Sequence, residues 1–267
     1  VISISSAEDV LSRTEQLLVL DVRDRASYLE GHVANAIHLD LKRWEQLAKT
    51  ADGELHRAEV WWPAIGALGI DGRTTIVVYD DGRMTEAARA WFILQWHGVD
   101  AQVLDGGWPA VLRTQSFKPD TADRAALAAT YVPPEGYRPA VDLVTRQTLK
   151  QQLDGSVQTL DARTRAEHRG EDLRSNARGG HLPGAKLVEH ASLLAADGTL
   201  KPREQLKQLF ADAGLAADAP VVTHCDGGGR AALAALAALN AGQQNVSAYY
   251  LSFSDWAKDE SCAIVRP

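Results

Sequence analysis

At 267 residues and 45% hydrophobic content, the chain is long enough for one large domain or two ordinary ones, each with its own core. Lysine and arginine number 28 against 35 aspartates and glutamates, a net charge of -7, so the overall charge gives no case for a nucleic-acid or anionic-membrane partner. Only two cysteines, Cys225 and Cys262, are present, which excludes a disulfide framework and a four-cysteine zinc site and fits a reducing compartment.

In chain order, Ile2 to Ser5 alternates and meets Ser6, a cap for a short helix with Glu8 and Asp9 in its first turn. Leu17 to Leu20 predicts a buried strand ending at Asp21-Val22-Arg23, followed by a short helix over 26–30, a turn at Gly31-His32 and a brief strand at Ile37-His38-Leu39. Helical periodicity returns over Trp61 to Leu68. Thr75 to Tyr79 predicts the next strand, with an amphipathic helix from Thr85 to His97 after it, and Val103-Leu104 a last strand before Gly106-Gly107-Trp108. Strands alternating with helices point to an α/β fold with a mainly parallel sheet.

The second half repeats this order. Asp161-Ala162-Arg163 echoes Asp21-Val22-Arg23, Gly180-His181 echoes Gly31-His32, Pro220 to Cys225 echoes Thr75 to Asp80, and Trp256 echoes Trp108. The offsets are 161 − 21 = 140, 181 − 32 = 149, 225 − 80 = 145 and 256 − 108 = 148, the drift that loop insertions produce. The expected division is a first copy over 1–117, a linker over 118–139 rich in Ala, Asp, Pro and Thr, and a second copy over 140–267. Asp21 and Asp161, each followed two positions later by an arginine, are expected to be structural ion pairs. His32 and His181 are expected to bond backbone rather than act as bases.

The stretch with chemistry is Val221-Val222-Thr223-His224-Cys225-Asp226-Gly227-Gly228-Gly229-Arg230, a buried strand, a glycine loop and then an Ala/Leu helix. A cysteine at that hand-over faces converging backbone N–H groups and a helix N-terminus, an arrangement that holds anions and favours a thiolate. Gly227, Gly228 and Gly229 let the loop curl around the sulfur, and Arg230 is the candidate contact for an anionic substrate. Asp226 is expected to point outward and His224 to pack on the opposite side of the strand. Arg169, Arg174 and Arg178 are further candidates to line the cleft. In the first copy Asp80 stands where Cys225 does, so that copy is expected to lack the nucleophile. Cys262 is expected to be a bystander.

The Asp-Ala-Arg strand end, Glu167-His168-Arg169-Gly170, Gly179-Gly180-His181-Leu182-Pro183-Gly184-Ala185 and Val222-Thr223-His224-Cys225 together resemble the tandem-domain rhodaneses, the thiosulfate and 3-mercaptopyruvate sulfurtransferases. The resemblance covers nearly the whole chain. It implies two rhodanese-like α/β domains, each a mainly parallel sheet flanked by helices, a silent N-terminal copy, and a C-terminal copy whose Cys225 carries a persulfide. It also implies transfer of a sulfane sulfur from a small anionic donor to a thiophilic acceptor such as cyanide or a thiol, with no cofactor or metal. The loop matches neither the basic pattern usual for thiosulfate enzymes nor the Gly-Ser-Gly-Val-Thr run of mercaptopyruvate enzymes. Glu167 falls where that second branch places a substrate-binding arginine, which tilts the choice toward thiosulfate or an undetermined persulfide donor.

Two other classes compete. His224-Cys225 with Arg230 resembles the loop of cysteine-dependent phosphatases and arsenate reductases, but the spacing is Cys-x4-Arg, one residue short. A rhodanese fold can also serve as a non-enzymatic docking module. No apolar run reaches the roughly 18 residues of a membrane helix. The expected setting is a cytoplasmic monomer without membrane or nucleic-acid partners, although an opening on Val1 rather than Met leaves room for a trimmed leader.

Overall fold

The structure, a computed structural model, describes residues 3–51, 54–115 and 117–266; Ile2, where the expected alternation starts, lies outside them. Two compact units emerge, Val1–Pro139 with Ala196–Thr199 and Ala140–Ala195 with Leu200–Pro267.

The first unit runs β1 (Ile4–Ser5), α1 (Ala7–Ser12), β2 (Leu18–Asp21), α2 (Arg25–Glu30), β3 (Ile37–His38), α3 (Leu41–Ala48), α4 (Ala58–Gly66), β4 (Ile76–Tyr79), α5 (Thr85–Trp96), β5 (Ala101–Leu104) and α6 (Gly107–Arg113). Its sheet is parallel with order β1-β5-β4-β2-β3. The second unit runs β6 (Asp142–Leu143), α7 (Arg146–Gln152), β7 (Gln158–Asp161), α8 (Arg165–Arg169), β8 (Lys186–Leu187), a 3-10 turn (His190–Leu193), α9 (Arg203–Asp212), β9 (Val221–His224), α10 (Gly229–Ala241), β10 (Val246–Ala248) and α11 (Ser252–Trp256). Its parallel order, β6-β10-β9-β7-β8, is the same arrangement again. The fold is therefore the α/β repeat expected from the sequence.

Local chemistry explains the elements. The β4 residues Ile76 to Tyr79 and the β9 residues Val221 to His224 are all buried, as central strands of a sheet covered on both faces require. Ser6, Asp24, Thr145 and Thr164 each cap a helix through a side-chain oxygen. Helix α10 buries Ala231 through Ala238 almost completely, and such small residues allow close approach to the sheet. Sequence reading passed over α3, α7 and α9, although Leu41, Trp44 and Ala48 of α3 and Leu206 and Phe210 of α9 form buried helical stripes.

Register proves the equivalence that the offsets suggested. In the first unit Asp21 pairs with Tyr79, and in the second Asp161 pairs with His224, so the next residues, Asp80 and Cys225, occupy the same place at the end of the same strand. Each aspartate grips its arginine bidentately: Arg23 Nε and Nη2 donate to Asp21, and Arg163 Nε and Nη2 to Asp161. Each arginine also donates to a glycine carbonyl, of Gly31 or Gly180. The carboxylates thus tie the strand end to the following loop, the structural role expected for them.

The repeat also runs past residue 117. His32 exchanges backbone hydrogen bonds with Asp120 as His181 does with Val265, an offset of 265 − 120 = 145. Beyond Asp120 the stretch to Pro139 carries no helix or strand yet is pinned to the first unit: Ala129 N–H donates to the Gly66 carbonyl at 2.8 Å, and the Tyr131 and Tyr137 hydroxyls donate to the carbonyls of His97 and Trp96 at 2.6 and 3.1 Å.

Candidate active site

Cys225 follows β9 directly and is 1% exposed. Its sulfur accepts a hydrogen bond from the Gly228 N–H at 3.1 Å. Gly228 has φ 102°, and a Cβ there would lie 2.9 Å from the Tyr250 carbonyl oxygen, so the loop needs glycine at this point for both torsion and space. Gly229 opens α10, whose first-turn N–H groups lack intrahelical partners and point back toward the loop by helix geometry. Gly227 completes the turn between Asp226 and Gly228. The far side is closed by Ser252, which sequence reading missed. Its hydroxyl accepts from the Cys225 N–H at 3.1 Å, lies 3.7 Å from the sulfur and is 2.8 Å from the Tyr249 carbonyl. Ser252 holds a left-handed backbone, φ 60°, which no glycine signals in the sequence.

The first unit shows what such a cradle holds. The Asp80 carboxylate, 2% exposed, accepts four backbone hydrogen bonds, from the N–H groups of Gly82, Met84, Glu86 and Ala87, at 2.9 to 3.1 Å. Burial raises the pKa of this carboxyl, and the backbone donors act against it. A loop and a helix N-terminus here surround an acceptor carried by the chain itself. At the same position in the second unit a thiol takes the place of the carboxylate and accepts from the Gly228 N–H.

The other candidates are distributed unequally. Asp226 is half-buried rather than fully outward, and its carboxylate accepts from the Asn176 amide at 2.7 Å. Arg230 is neither open to solvent nor free. It forms a bidentate pair with Glu167, Nη1 to Oε2 at 2.6 Å and Nη2 to Oε1 at 2.8 Å. Although burial works against its charge, the guanidinium is held above its ordinary pKa by the hydrogen bond to Glu167 and by Cys225, Glu167 and Asp226. Arg169 has a half-exposed guanidinium 3.8 Å from exposed Glu171, and Arg178 spends its donors on the carbonyls of Trp256, Ala257, Asp259 and Cys262. Arg178 is thus a tie for the C-terminal segment instead of a cleft residue. Arg174 lies 3.9 Å from Glu167.

His224 is fully buried, as its place on the strand required, but its Nε2 has no hydrogen-bond partner and sits 3.9 Å from Asp161. Burial lowers its pKa to about 4 while Asp161 pulls the other way. In the first unit the equivalent Tyr79 donates to Asp21 at 2.6 Å and accepts from the Val33 N–H at 3.2 Å. We expect His224→Tyr to raise the melting temperature by a few degrees, because an unsatisfied buried donor or acceptor costs about 1–3 kcal/mol. The same group makes the wild type acid-sensitive. Unfolded histidine takes its proton near 6.5 and the folded one only near 4, so the stabilisation is full above 6.5 and is lost as pH falls toward 4. Melting curves across that window should flatten in the variant. An unchanged slope would mean that His224 finds a partner.

Cys262 is free, as is Cys225, and lies in the second core with Val222, Tyr249, Phe253 and Trp256. Burial pushes its thiol pKa up, a poor setting for a nucleophile. Cys262→Ala should therefore leave steady-state turnover unchanged, and a large loss would reveal a resolving thiol. Among the described residues no group of His, Cys, Asp and Glu is placed to hold a metal, and no helix is long and apolar enough to cross a membrane.

Comparison with known proteins agrees with this geometry. The Rhodanese-like domain family matches residues 6–114 and 145–259. The chain is 28% identical over 237 residues to the 3-mercaptopyruvate sulfurtransferase of Escherichia coli K12, covering 86% of this chain and 81% of that protein. It is 29% identical over 248 residues to the thiosulfate sulfurtransferase of Pseudomonas aeruginosa, covering 90% and 88%. The crystal structure of SseA from Escherichia coli superposes with a TM-score of 0.78 at 24% identity, over 95% of this chain and 100% of that one. This chain therefore belongs to the rhodanese family of sulfurtransferases, with one rhodanese-like domain in each unit.

Proposed function

We propose that the protein transfers a sulfane sulfur through a persulfide on Cys225, with thiosulfate as the favoured donor and a thiophile such as cyanide or a thiol as acceptor. The observation that carries this reading is the glycine-loop cradle around a buried sulfur, at the position where the sister unit holds a carboxylate on four N–H groups. In the first half-reaction the Cys225 thiolate attacks the outer sulfur of the donor. A new S–S bond forms, the donor S–S bond breaks, and sulfite leaves with the bonding pair. The outer sulfur of the persulfide then takes up the charge within the loop, where backbone donors stabilise it. Attack by the acceptor on that sulfur returns the thiolate, and with cyanide the product is thiocyanate.

The relatives named for thiosulfate and for 3-mercaptopyruvate support both donors; the absence of the second branch's substrate-binding arginine at position 167 weighs toward thiosulfate, while the negative charge of Glu167 itself acts against a dianion. The two free cysteines suit action in a reducing, cytoplasmic setting, and we take the working form to be a monomer. The loop spacing speaks against phosphate-ester hydrolysis, and so does the commitment of Arg230 to a carboxylate. Thiocyanate formation from thiosulfate and cyanide, measured beside hydrolysis of p-nitrophenyl phosphate, tests the reading. Thiocyanate without phosphate release is the expected result. Phosphatase activity without sulfur transfer would overturn it, and neither activity would favour a docking module.

A further inference from the structure

The charge around the Cys225 loop is set by a pair that joins two distant parts of the second unit. Glu167 is 1% exposed and stands at the third position of α8. Its Oε2 accepts from the Thr164 N–H at 3.0 Å and the Thr164 hydroxyl at 2.9 Å, and both its oxygens accept from Arg230. The capping box fixes the carboxylate, and the carboxylate in turn fixes the guanidinium. Despite burial, hydrogen bonds from Arg230 and Thr164 hold the Glu167 pKa down at about 2, so the pair stays ionised throughout the pH range of an assay. The other buried or tethered cations of this unit are similarly occupied, Arg163 by Asp161 and the Gly180 carbonyl, Arg178 by four carbonyls. A donor anion approaching the loop therefore meets an Arg230 whose charge is already balanced.

We propose that Glu167 is a specificity-determining residue, which holds Arg230 back from the donor and so sets how strongly the site favours a dianionic donor over a monoanionic one. The proposal rests on the sulfur-transfer reading. It concerns the donor half-reaction alone, and the bonds made and broken there are unchanged. Near neutral pH thiosulfate carries two charges, whereas 3-mercaptopyruvate carries its carboxylate charge with a largely protonated thiol. Loss of a buried negative charge beside the site must help the first more than the second, because Coulomb energy scales with the donor's charge. Glu167 acts through Arg230 and is a positioning residue, so the decisive readout is a ratio between donors.

The test compares kcat/KM for thiosulfate and for 3-mercaptopyruvate in wild type and in Glu167→Gln, at about pH 7. Glutamine can still complete the capping box and accept from Arg230 while removing the charge. The thiosulfate-to-mercaptopyruvate ratio should rise at least about tenfold, by the Coulomb argument, with alkylation of Cys225 by neutral iodoacetamide within about twofold of wild type. A ratio that stays level or falls overturns the proposal. Should Glu167→Gln fail to fold, Arg230→Gln reads the pair from the other side. It leaves the carboxylate uncompensated, and the ratio should then fall by a similar factor, whereas equal losses for both donors overturn the proposal. A wild type that is charged by neither donor would instead sink the sulfur-transfer reading on which it rests.

Discussion

Cys225→Ser is expected to lose sulfur transfer by at least about 10³-fold, since removing a covalent nucleophile leaves only what binding and electrostatics supply. The variant should remain folded. A serine hydroxyl can accept from the Gly228 N–H as the sulfur does, and the backbone bonds from Phe253 N–H to the Cys225 carbonyl and from the Cys225 N–H to Ser252 are untouched. The change replaces a polarisable sulfur by an oxygen that cannot form a disulfide-like bond with the donor. Matched melting curves with thiocyanate formation reduced to background would be the expected pair of results. Retained turnover would falsify the assignment of Cys225 as sulfur carrier.

The second large effect is expected at Gly228. An alanine there must either hold φ near 102°, a region that L side chains rarely adopt, or move the loop, and its methyl would meet the Tyr250 carbonyl oxygen at 2.9 Å. Carbonyl backbone cannot yield as a flexible side chain can, so the loop itself must shift, and the N–H donor to the sulfur shifts with it. Loss of one such donor in comparable sites costs about 10²–10³-fold in rate. Gly228→Ala should therefore cost at least about 10²-fold in kcat and also destabilise the second unit by about 1–3 kcal/mol. The rate loss should exceed what a melting curve accounts for. Near-normal turnover would show that the cradle tolerates a different loop path.

The fold was largely legible because its signals are local or repeated. Buried β-branched runs mark β4 and β9, and two Asp-x-Arg strand ends mark β2 and β7. The comparison of Asp80 with Cys225 was legible too, and the sheet register supplies its physical proof. What stayed hidden depends on contacts between residues far apart in sequence. The Glu167 to Arg230 pair spans 63 positions, and nothing in either local pattern announces it. Ser252 sits 27 positions from Cys225, with its left-handed backbone imposed by tertiary context. The linker reading rested on missing periodicity, whereas the stretch is held by a few point contacts, such as Ala129 to Gly66, that need no periodicity. Arg178 resembled a cleft cation in the sequence because charge alone does not say which carbonyls a side chain will find. The three glycines were legible as a loop, but only the structure singles out Gly228 as the donor to the sulfur.

The first unit serves as an internal reference throughout. Its Asp80 shows the cradle filled by a carboxylate, and its Tyr79 shows the hydrogen bonds that His224 leaves unmade. Both differences lie at consecutive positions of one strand end. The first unit therefore keeps the architecture with a carboxylate where the second carries the thiol.

The most direct measurement is the mass of the Cys225-containing peptide after incubation with thiosulfate, followed by treatment with cyanide. The account predicts one added sulfur atom on Cys225, absent from Cys262, and its removal by cyanide with release of thiocyanate. An unmodified Cys225, or a sulfur added at Cys262 in its place, would contradict it.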